Sequence, residues 1–359
     1  MNSSNLKADA VFQGGGVKGI ALIGAASVIT GAGYSFQNLA GTSAGAIVAV
    51  LLAAGYTPDE LKTILMELDF RSFQDRASWL GRVPGIGKYL DLLSGLGMYG
   101  GTGLLELLRR LLLAKGVKTF GDLVFPGESE PRYRFKVHVV ASDISRGRMV
   151  ILPDDAPAYG IQPEDLEVAL AVRMSMSIPY YFRPAVLKNR AGMPCYVVDG
   201  GLLSNFPIEF FDTPPPAVPA WPTFGFTLVP GKDDPEEDNR VEYEIHGPLS
   251  MFRAMFNTAM VAHDSYSLQQ PDVAARTIRI DHLGISATAF DLSLEQKEAL
   301  WESGRAAARG FLAEWDFAGY ISRFRTGDRR GRRDASLALP SSKTHSLDDG
   351  VAAAPEATS

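Results

Sequence analysis

The chain has 359 residues, a length that allows about two domains or one large α/β domain with additions. Its 35 Lys and Arg against 41 Asp and Glu give a net charge of −6, which argues against a broad nucleic-acid-binding surface. The single cysteine, Cys195, excludes an internal disulfide and is compatible with a reducing compartment.

The N-terminal ten residues contain Lys7 and Asp9 and no apolar core, so the sequence predicts no secretory signal and a cytoplasmic protein. Residues 19–58 carry no charged side chain. The longest purely apolar run there, Ala46 to Ala54, is nine residues, whereas a membrane-spanning helix needs about 20. We therefore expect this stretch to be buried within the protein.

Short apolar runs alternate along the chain with helix-like segments, a pattern typical of strands joined through helices into a largely parallel sheet. Strands are predicted at residues 10–13, 38–40, 136–142, 196–198, 224–229 and 277–281. Helices are predicted at residues 17–30, 44–54, 58–68, 103–114, 165–176, 249–269 and 294–315, the last beginning with a capping box of Ser293 and Gln296.

Two segments interrupt this pattern. Residues 213–222 contain five prolines and cannot form a regular element. Residues 231–240 contain five acids around a proline, which favours a solvated loop over a metal site. Residues 327–359 have no aromatic residue and predict a disordered tail.

The first chemical motif is a glycine loop between a predicted strand and a predicted helix, formed by Gly14, Gly15, Gly16, Lys18 and Gly19. Such a turn leaves backbone N–H groups at a helix N-terminus, where they can hold negative charge. A dinucleotide site would need an acid about 20 residues later, and none occurs between Lys18 and Asp59. A phosphate-binding P-loop is also excluded, because an isoleucine stands where that motif has lysine.

The second motif places Ser43 between Gly41 and Gly45 at another strand-to-helix junction. Flanking glycines permit the strained turn of a nucleophile elbow, which presents a serine hydroxyl from a helix N-terminus. The third motif is a strand that ends in Asp199, Gly200 and Gly201. Reacting groups collect at the carboxyl ends of strands in parallel sheets, so we expect Asp199 to meet Ser43.

The order of these motifs resembles that of the patatin-like phospholipase family. Four further blocks are similar to the family in the expected order: residues 97–123, 139–152, 172–185 and 290–304. The resemblance implies a three-layer α/β/α fold with a mostly parallel central sheet and C-terminal helices. It also implies a catalytic domain over residues 9–212, continued by residues 213–326.

The resemblance further implies a lipid acyl hydrolase that uses a Ser-Asp dyad. Ser43 would be the nucleophile, Asp199 would exchange the proton, and the Gly15 and Gly16 amides, helped by Ala44, would form the oxyanion hole. The expected substrate is a phospholipid or other acyl-ester lipid, reached at a transient membrane surface, with no cofactor, metal or nucleic acid. Gln13 stands where the family commonly has aspartate, and Gly201 replaces the alanine of Asp-Gly-Ala.

The sequence also allows other interpretations of the mechanism and function. His263 could complete a Ser-His-Asp triad of the α/β-hydrolase type, whereas His138 alternates with apolar residues and is expected to be a core histidine whose polar atoms are satisfied. The dyad could transfer its acyl group to an acceptor other than water. A non-catalytic lipid-binding protein would be expected to have lost Ser43 or Asp199. Residues 79–101 could form a lid, and the basic residues 329–333 could contact anionic lipid.

Overall fold

The computed structural model describes residues 6–73, 75, 96–128, 130–214, 217–231, 244–247, 250–251, 254–255, 258 and 267–326. Within these residues there are ten strands. They are β1 (Leu6–Phe12), β2 (Tyr34–Thr42), β3 (Gly97–Tyr99), β4 (Val137–Asp143), β5 (Arg148–Leu152), β6 (Tyr180–Phe182), β7 (Ala185–Lys188), β8 (Pro194–Asp199), β9 (Thr223–Val229) and β10 (Thr277–Asp281).

Nine α-helices lie in the same described ranges, two of them single turns of four residues. They are α1 (Gly19–Gly31), α2 (Ala44–Ala53), α3 (Pro58–Glu67), α4 (Thr102–Ala114), α5 (Pro131–Arg134), α6 (Val168–Ser175), α7 (Pro271–Ala274), α8 (Leu294–Glu314) and α9 (Phe317–Phe324). None of the described helices is both long and apolar enough to cross a bilayer.

The six predicted strands correspond to β1, β2, β4, β8, β9 and β10. The sequence does not predict strands β3, β5, β6 and β7. Strands β3, β6 and β7 have only three or four residues, too few to show an alternating pattern, whereas β5 is as long as the predicted β10. The predicted capping box at the start of α8 is confirmed: Ser293 Oγ accepts from the Gln296 amide, and Gln296 Oε1 accepts from the Ser293 amide. Several predictions lie wholly or mainly outside the described residues: the 249–269 helix, the acidic 231–240 segment, most of the 79–101 segment and the 327–359 tail.

One half of the central sheet is parallel, in the order β10, β9, β1, β2, β4. Strands β9 and β10 follow residue 212 in the chain but pair into the sheet beside β1. The carboxyl ends of β1 and β2 therefore lie at one edge of the sheet, where the glycine loop and the Ser43 turn follow them.

The other half of the sheet is antiparallel. Val139 and Val140 of β4 pair with both β2 and β5, so those two strands occupy opposite edges of β4. Residues 141–143 pair with both β5 and β8, which places β8 on the same edge of β4 as β2. Strand β2 is parallel to β4 and β8 is antiparallel to it. The carboxyl ends of β2 and β8 therefore meet head to head.

The strands bury side chains on both faces, as the alternation along β1 shows. Ala10 and Phe12 belong to the large core that also contains α1, α2, α4 and α8, whereas Val11 belongs to a second cluster with Phe206, Ile208, Phe211 and Val273. Consecutive residues of a strand point to opposite faces, so the sheet is the middle of three layers. The chain thus has a mixed α/β architecture with a central, mostly parallel sheet flanked by helices.

Helix α1 is largely buried, and α8 makes extensive contact with it. The two helices approach closely at two glycines: a Cβ on Gly24 would lie 2.2 Å from the Trp301 carbonyl oxygen, and one on Gly304 would lie 1.9 Å from that of Ala21. This close packing fixes α1, and with it the glycine loop at its N-terminus.

Candidate active site

Ser43 lies in a strained turn between β2 and α2. Its φ of 54° and ψ of −123° are rarely adopted by residues with a side chain, and such strain is typical of functional positions. The flanking glycines have steric reasons: a Cβ on Gly41 would lie 2.3 Å from the Gly45 carbonyl oxygen, and one on Gly45 would lie 2.2 Å from that of Phe12. The elbow predicted from the sequence is therefore formed, with Ser43 directly before the first turn of α2.

The glycine loop packs directly against this elbow. A Cβ on Gly14 would lie 3.1 Å from the Ser43 Cβ atom and 2.2 Å from the Asn205 side-chain oxygen. Gly16 has a φ of 58°, and a Cβ there would overlap the Ala287 carbonyl oxygen at 1.9 Å. Only glycine therefore fits at Gly16, where both the positive φ and a backbone oxygen exclude a side chain, whereas at Gly14 the shortest contact is with the end of the Asn205 side chain. Gly19 is different, since its Cβ would make an ordinary 3.6 Å contact with Ala44.

Gln13 ties the start of the loop to the neighbouring strand. Its side-chain oxygen accepts hydrogen bonds from the Thr227 hydroxyl at 2.9 Å and from the Leu228 amide at 2.6 Å. The Lys18 amide closes the turn by donating to the Gly15 carbonyl at 3.2 Å. In the sequence Gln13 is only a departure from the family pattern. In the structure it anchors the glycine loop to β9.

The head-to-head meeting of β2 and β8 brings Asp199 to Ser43. Thr42 pairs with Val140 of β4, and Asp199 pairs with the next residue, Ala141. Gly200 must be small here, because its Cβ would lie 2.3 Å from the Val140 carbonyl oxygen and 2.9 Å from a methyl carbon of Thr42. The predicted encounter is confirmed, but its predicted cause, a shared edge of parallel strands, is wrong. Strand β8 is antiparallel and approaches β2 from the opposite direction.

The Ser43 hydroxyl donates a hydrogen bond of 2.7 Å to Asp199 Oδ2. The other carboxylate oxygen, Oδ1, accepts from the Gly201 amide at 2.8 Å. Both side chains are buried, with Ser43 4% exposed and Asp199 1% exposed. Burial raises the pKa of Asp199 from its ordinary 3.8 to about 7, although its bonds to Ser43 and Gly201 oppose that rise. A carboxylate with this pKa is a far better proton acceptor than an ordinary aspartate.

The turn that follows α6 supports both members of the pair. Ser175 Oγ accepts a 2.7 Å hydrogen bond from the Ser43 amide and donates one to the Val140 carbonyl. The Ser177 carbonyl accepts from the Asp199 amide at 2.9 Å, and Met176 Sδ lies 3.3 Å from Ser43 Oγ. In the sequence these residues belong to the block at 172–185 that resembles the family. Their alternating Ser-Met-Ser pattern before Ile178 and Pro179 is a sequence signal, but nothing in it says which backbone amides the serines bind.

Three N–H groups near Ser43 remain available to a ligand. Among the residues that the structure describes, the amides of Gly15, Gly16 and Ala44 donate to no protein acceptor. Two of them belong to the loop that packs on the elbow, and the third opens helix α2. This is the kind of donor set that stabilises negative charge developing on a carbonyl oxygen.

A slot lined by apolar side chains and glycines begins at Gly16 and Ala44 and runs between α1, α2, α3 and α4. Its lining contains no charged side chain and no hydroxyl group, so it favours apolar groups and offers a polar ligand nothing to bind. The other lining residues are Val17, Gly19, Ile20, Ile23, Ile47, Val48, Leu51, Leu61, Ile64, Leu65, Leu68, Phe70, Phe73, Leu104, Leu107, Leu108 and Leu111.

His138 is buried in β4, as predicted for a core histidine, among the rings of Phe135, Phe210 and Phe211. The prediction that its polar atoms would be satisfied is wrong: its nearest acidic neighbour is Asp154, at 3.5 Å, and neither ring nitrogen makes a hydrogen bond. The alternative triad residue, His263, lies outside the described residues. In the described part of the chain, no three His, Cys, Asp or Glu side chains form a metal-ligand group.

Comparison with known proteins identifies related sequences. The profile of a family described as patatin-like phospholipase matches residues 10–212. The uncharacterized protein YqhO of Bacillus subtilis (strain 168) is 38% identical over 310 residues, covering 86% of this chain and 99% of that protein. A probable lipid hydrolase of Invertebrate iridescent virus 6 is 24% identical over 200 residues, covering 55% of this chain and 61% of that protein.

One solved structure shows the same fold at low sequence identity. The crystal structure of VipD from Legionella pneumophila superimposes with a TM-score of 0.50 at 18% identity. The alignment covers 85% of this chain and 66% of that one.

Proposed function

Because the chain belongs to the patatin-like phospholipase family, we propose that it hydrolyses fatty-acyl esters of lipids, with Ser43 as nucleophile and Asp199 as general base. The observation that carries this proposal is the buried 2.7 Å hydrogen bond between Ser43 Oγ and Asp199 Oδ2. Among the described residues, the unpaired amide of Ala44 directly follows Ser43, and Ala44 also lines the apolar slot. Each of the three elements of an acyl-transfer site therefore has a candidate.

The reaction begins with attack of Ser43 Oγ on the carbonyl carbon of the ester while Asp199 accepts the hydroxyl proton. The carbonyl oxygen of the tetrahedral intermediate takes up negative charge, which the Gly15, Gly16 and Ala44 amides stabilise. Asp199 then gives the proton to the departing alcohol oxygen, leaving an acyl-enzyme. Water attacks this ester by the same route, and the fatty acid is released with Ser43 restored.

The apolar lining of the slot favours the hydrocarbon part of an acyl ester as the group that binds there. Burying each CH₂ group contributes about 0.8 kcal/mol, so every methylene group that enters the slot adds binding energy. Because such lipids reside in bilayers or micelles, the enzyme acts at their surface. We expect slow hydrolysis of dispersed short-chain esters and faster hydrolysis when the substrate aggregates.

The function is tested by measuring fatty-acid release from phospholipids, lysophospholipids and neutral glycerides, together with labelling by a fluorophosphonate probe. Wild type should release fatty acid and be labelled at Ser43, and both reactions should persist in EDTA. Release of an acyl product other than the free acid, when an alcohol acceptor is supplied, would identify an acyltransferase that uses the same residues. Labelling at a serine other than Ser43 would overturn the assignment.

The histidine alternative is tested by alanine substitution at His138, His246, His263, His282 and His345. A dyad contains no imidazole, so each variant should keep substantial activity. If His263→Ala were as inactive as Asp199→Asn, a Ser-His-Asp triad would replace the dyad.

A further inference from the structure

Arg173 is a buried arginine close to the candidate active site that the reaction scheme does not use. It lies in the last turn of α6, two residues before Ser175, and is only 7% exposed. Burial lowers the pKa of its guanidinium to about 10, opposed by the charge of Asp75. Burying a charged group costs free energy unless other groups bind it, so the partners of this guanidinium indicate what it does.

The partners of Arg173 are all uncharged. Its Nη1 donates to Ser177 Oγ at 2.6 Å, and its Nη2 donates to the carbonyls of Gly100 at 2.7 Å and Arg183 at 3.0 Å. The guanidinium also lies over the Phe182 ring, 5.1 Å from its centroid. Within the described residues it forms no ion pair. It therefore acts through directed hydrogen bonds to three separate segments of chain.

The contact between Arg173 and Ser177 connects Arg173 to Asp199, the proposed base. The Ser177 hydroxyl donates its own proton to the Arg173 carbonyl at 2.9 Å, so it meets the guanidinium as an acceptor. The Ser177 carbonyl in turn accepts the Asp199 amide. Two residues earlier, Ser175 binds the Ser43 amide. Fixing this turn therefore fixes the backbone of the nucleophile and that of the base at once.

The other contacts of Arg173 fasten that turn to the β3 and β6 strand pair. Gly100 follows β3, and Arg183 follows β6. The chain at Gly101, with a φ of 73°, lies directly against the guanidinium, since a Cβ there would be 2.3 Å from Arg173 Nε. A planar group with donors in fixed directions can join three such segments, whereas an ammonium cannot reproduce that geometry.

We propose that Arg173 is a positioning residue that sets the relative placement of Ser43 and Asp199 by fastening the turn at residues 175–177 to Gly100 and Arg183. The inference depends on the proposed dyad function. Arg173 touches neither member of the dyad, and it does not line the apolar slot. Its removal should therefore impair the chemical step and leave substrate binding intact.

The test compares Arg173→Met with Arg276→Met, a matched control. Arg276 is also a buried arginine, 1% exposed, but it pairs with Asp212 at 2.7 Å and has no contact with the 175–177 turn. A misplacement of about 1 Å can cost about 10²-fold in rate. We expect kcat and the fluorophosphonate labelling rate to fall about 10²-fold in Arg173→Met, with KM within twofold of wild type. Arg276→Met should lower the melting temperature but keep kcat per labelled molecule within twofold.

Arg173→Lys and Ser177→Ala provide a second measurement if Arg173→Met does not fold. Each should lower the labelling rate about tenfold, and the double variant should be little worse than either, because both remove the same connection. Full activity of Arg173→Met or Arg173→Lys, or additive losses in the double variant, would overturn the proposal. A wild-type protein that neither hydrolyses lipid esters nor is labelled would instead overturn the proposed function, and this inference with it.

Discussion

The two members of the candidate dyad are held in different ways. Ser43 owes its strained conformation to its immediate neighbours, through the turn that Gly41 and Gly45 allow, and one distant hydrogen bond joins its amide to Ser175. Asp199 owes its position to distant segments: β4 pairs with it, Ser177 accepts its amide, and Thr42 packs against the glycine that follows it. The turn that carries Ser43 is encoded in five consecutive residues, 41–45. The segments that hold Asp199 are more than 20 residues away from it in the chain.

Short motifs predict both Ser43 and Asp199, but only the turn of Ser43 follows from its motif, because the strand direction that brings Asp199 to Ser43 does not. Asp-Gly sequences are common in ordinary turns, and only the antiparallel course of β8 makes this one meet Ser43. This difference also distinguishes two classes of substitution. Changes in the elbow should displace Ser43 together with the glycine loop packed against it, whereas loss of the contacts that hold Asp199 and the 175–177 turn should alter the distance between the two side chains.

The largest effect is expected from Ser43→Ala, which removes the attacking oxygen. Lipid ester hydrolysis should fall by at least about 10⁴-fold, while the melting temperature changes little because one buried hydroxyl is lost. Ser27→Ala is the control, since that hydroxyl only bonds the Gly24 carbonyl within α1. Equal loss of fatty-acid release in both variants would show that Ser43 is not the nucleophile.

Asp199→Asn should lower hydrolysis by about 10³-fold or more, because an amide cannot accept the serine proton. It should also stabilise the protein at pH 8. The folded-state pKa of about 7 lies above the unfolded value near 3.8, so the ionised carboxylate destabilises the fold increasingly as pH rises between these values. The expected gain is at most about 4 kcal/mol, and it should vanish below about pH 4, where the carboxyl group is protonated in both states.

Asp143→Asn provides the contrast, because Asp143 is an equally buried aspartate at the end of β4, beside β8. Its carboxylate accepts from the Tyr159 hydroxyl and from the Ser145 and Arg146 amides, all structural contacts. Thermal melts at pH 5 and pH 8 should show that Asp143→Asn lowers the stability of the protein. Hydrolysis assays should show that its kcat is nearly unchanged. A stability loss at pH 8 in Asp199→Asn would contradict the burial effect inferred for that carboxylate.

Gly45→Ala tests the local half of the comparison. A Cβ at this position would lie 2.2 Å from the Phe12 carbonyl oxygen and 2.5 Å from that of Gln13, so the elbow and the glycine loop must move apart. We expect about a 10²-fold loss of kcat, together with a lower melting temperature. Gly31→Ala, in α1, has no neighbour within 4 Å of its new Cβ and should leave activity unchanged while stabilising by up to about 1 kcal/mol. Wild-type kcat in Gly45→Ala would show that the elbow tolerates displacement.

The sequence predicts all five strands of the parallel half, although for β2 it predicts only residues 38–40 of the nine. Strands β3, β6 and β7 have only three or four residues, too few to show a pattern, and β5 is not predicted although it is as long as β10, so most of the antiparallel half does not follow from the sequence. The same distinction holds in the site. Ser43 and the glycine loop are visible in the sequence, whereas the roles of Gln13, Arg173, Ser175 and Ser177 depend on contacts that only the fold creates.

The smallest expected effect concerns the pH dependence of the wild-type enzyme. Since Asp199 must be ionised to accept the Ser43 proton, kcat/KM should rise with pH, with a midpoint near 7 and a tenfold fall for each pH unit well below it. This midpoint follows from the non-local half of the site, because β4, β8 and the 175–177 turn bury the carboxylate. Measuring kcat/KM from pH 5 to pH 9, with the melting temperature followed over the same range, separates titration from unfolding. A midpoint near 4 would show that Asp199 is solvated when substrate binds. A midpoint near 7 that disappears in a histidine variant would assign the titration, and the role of base, to an imidazole.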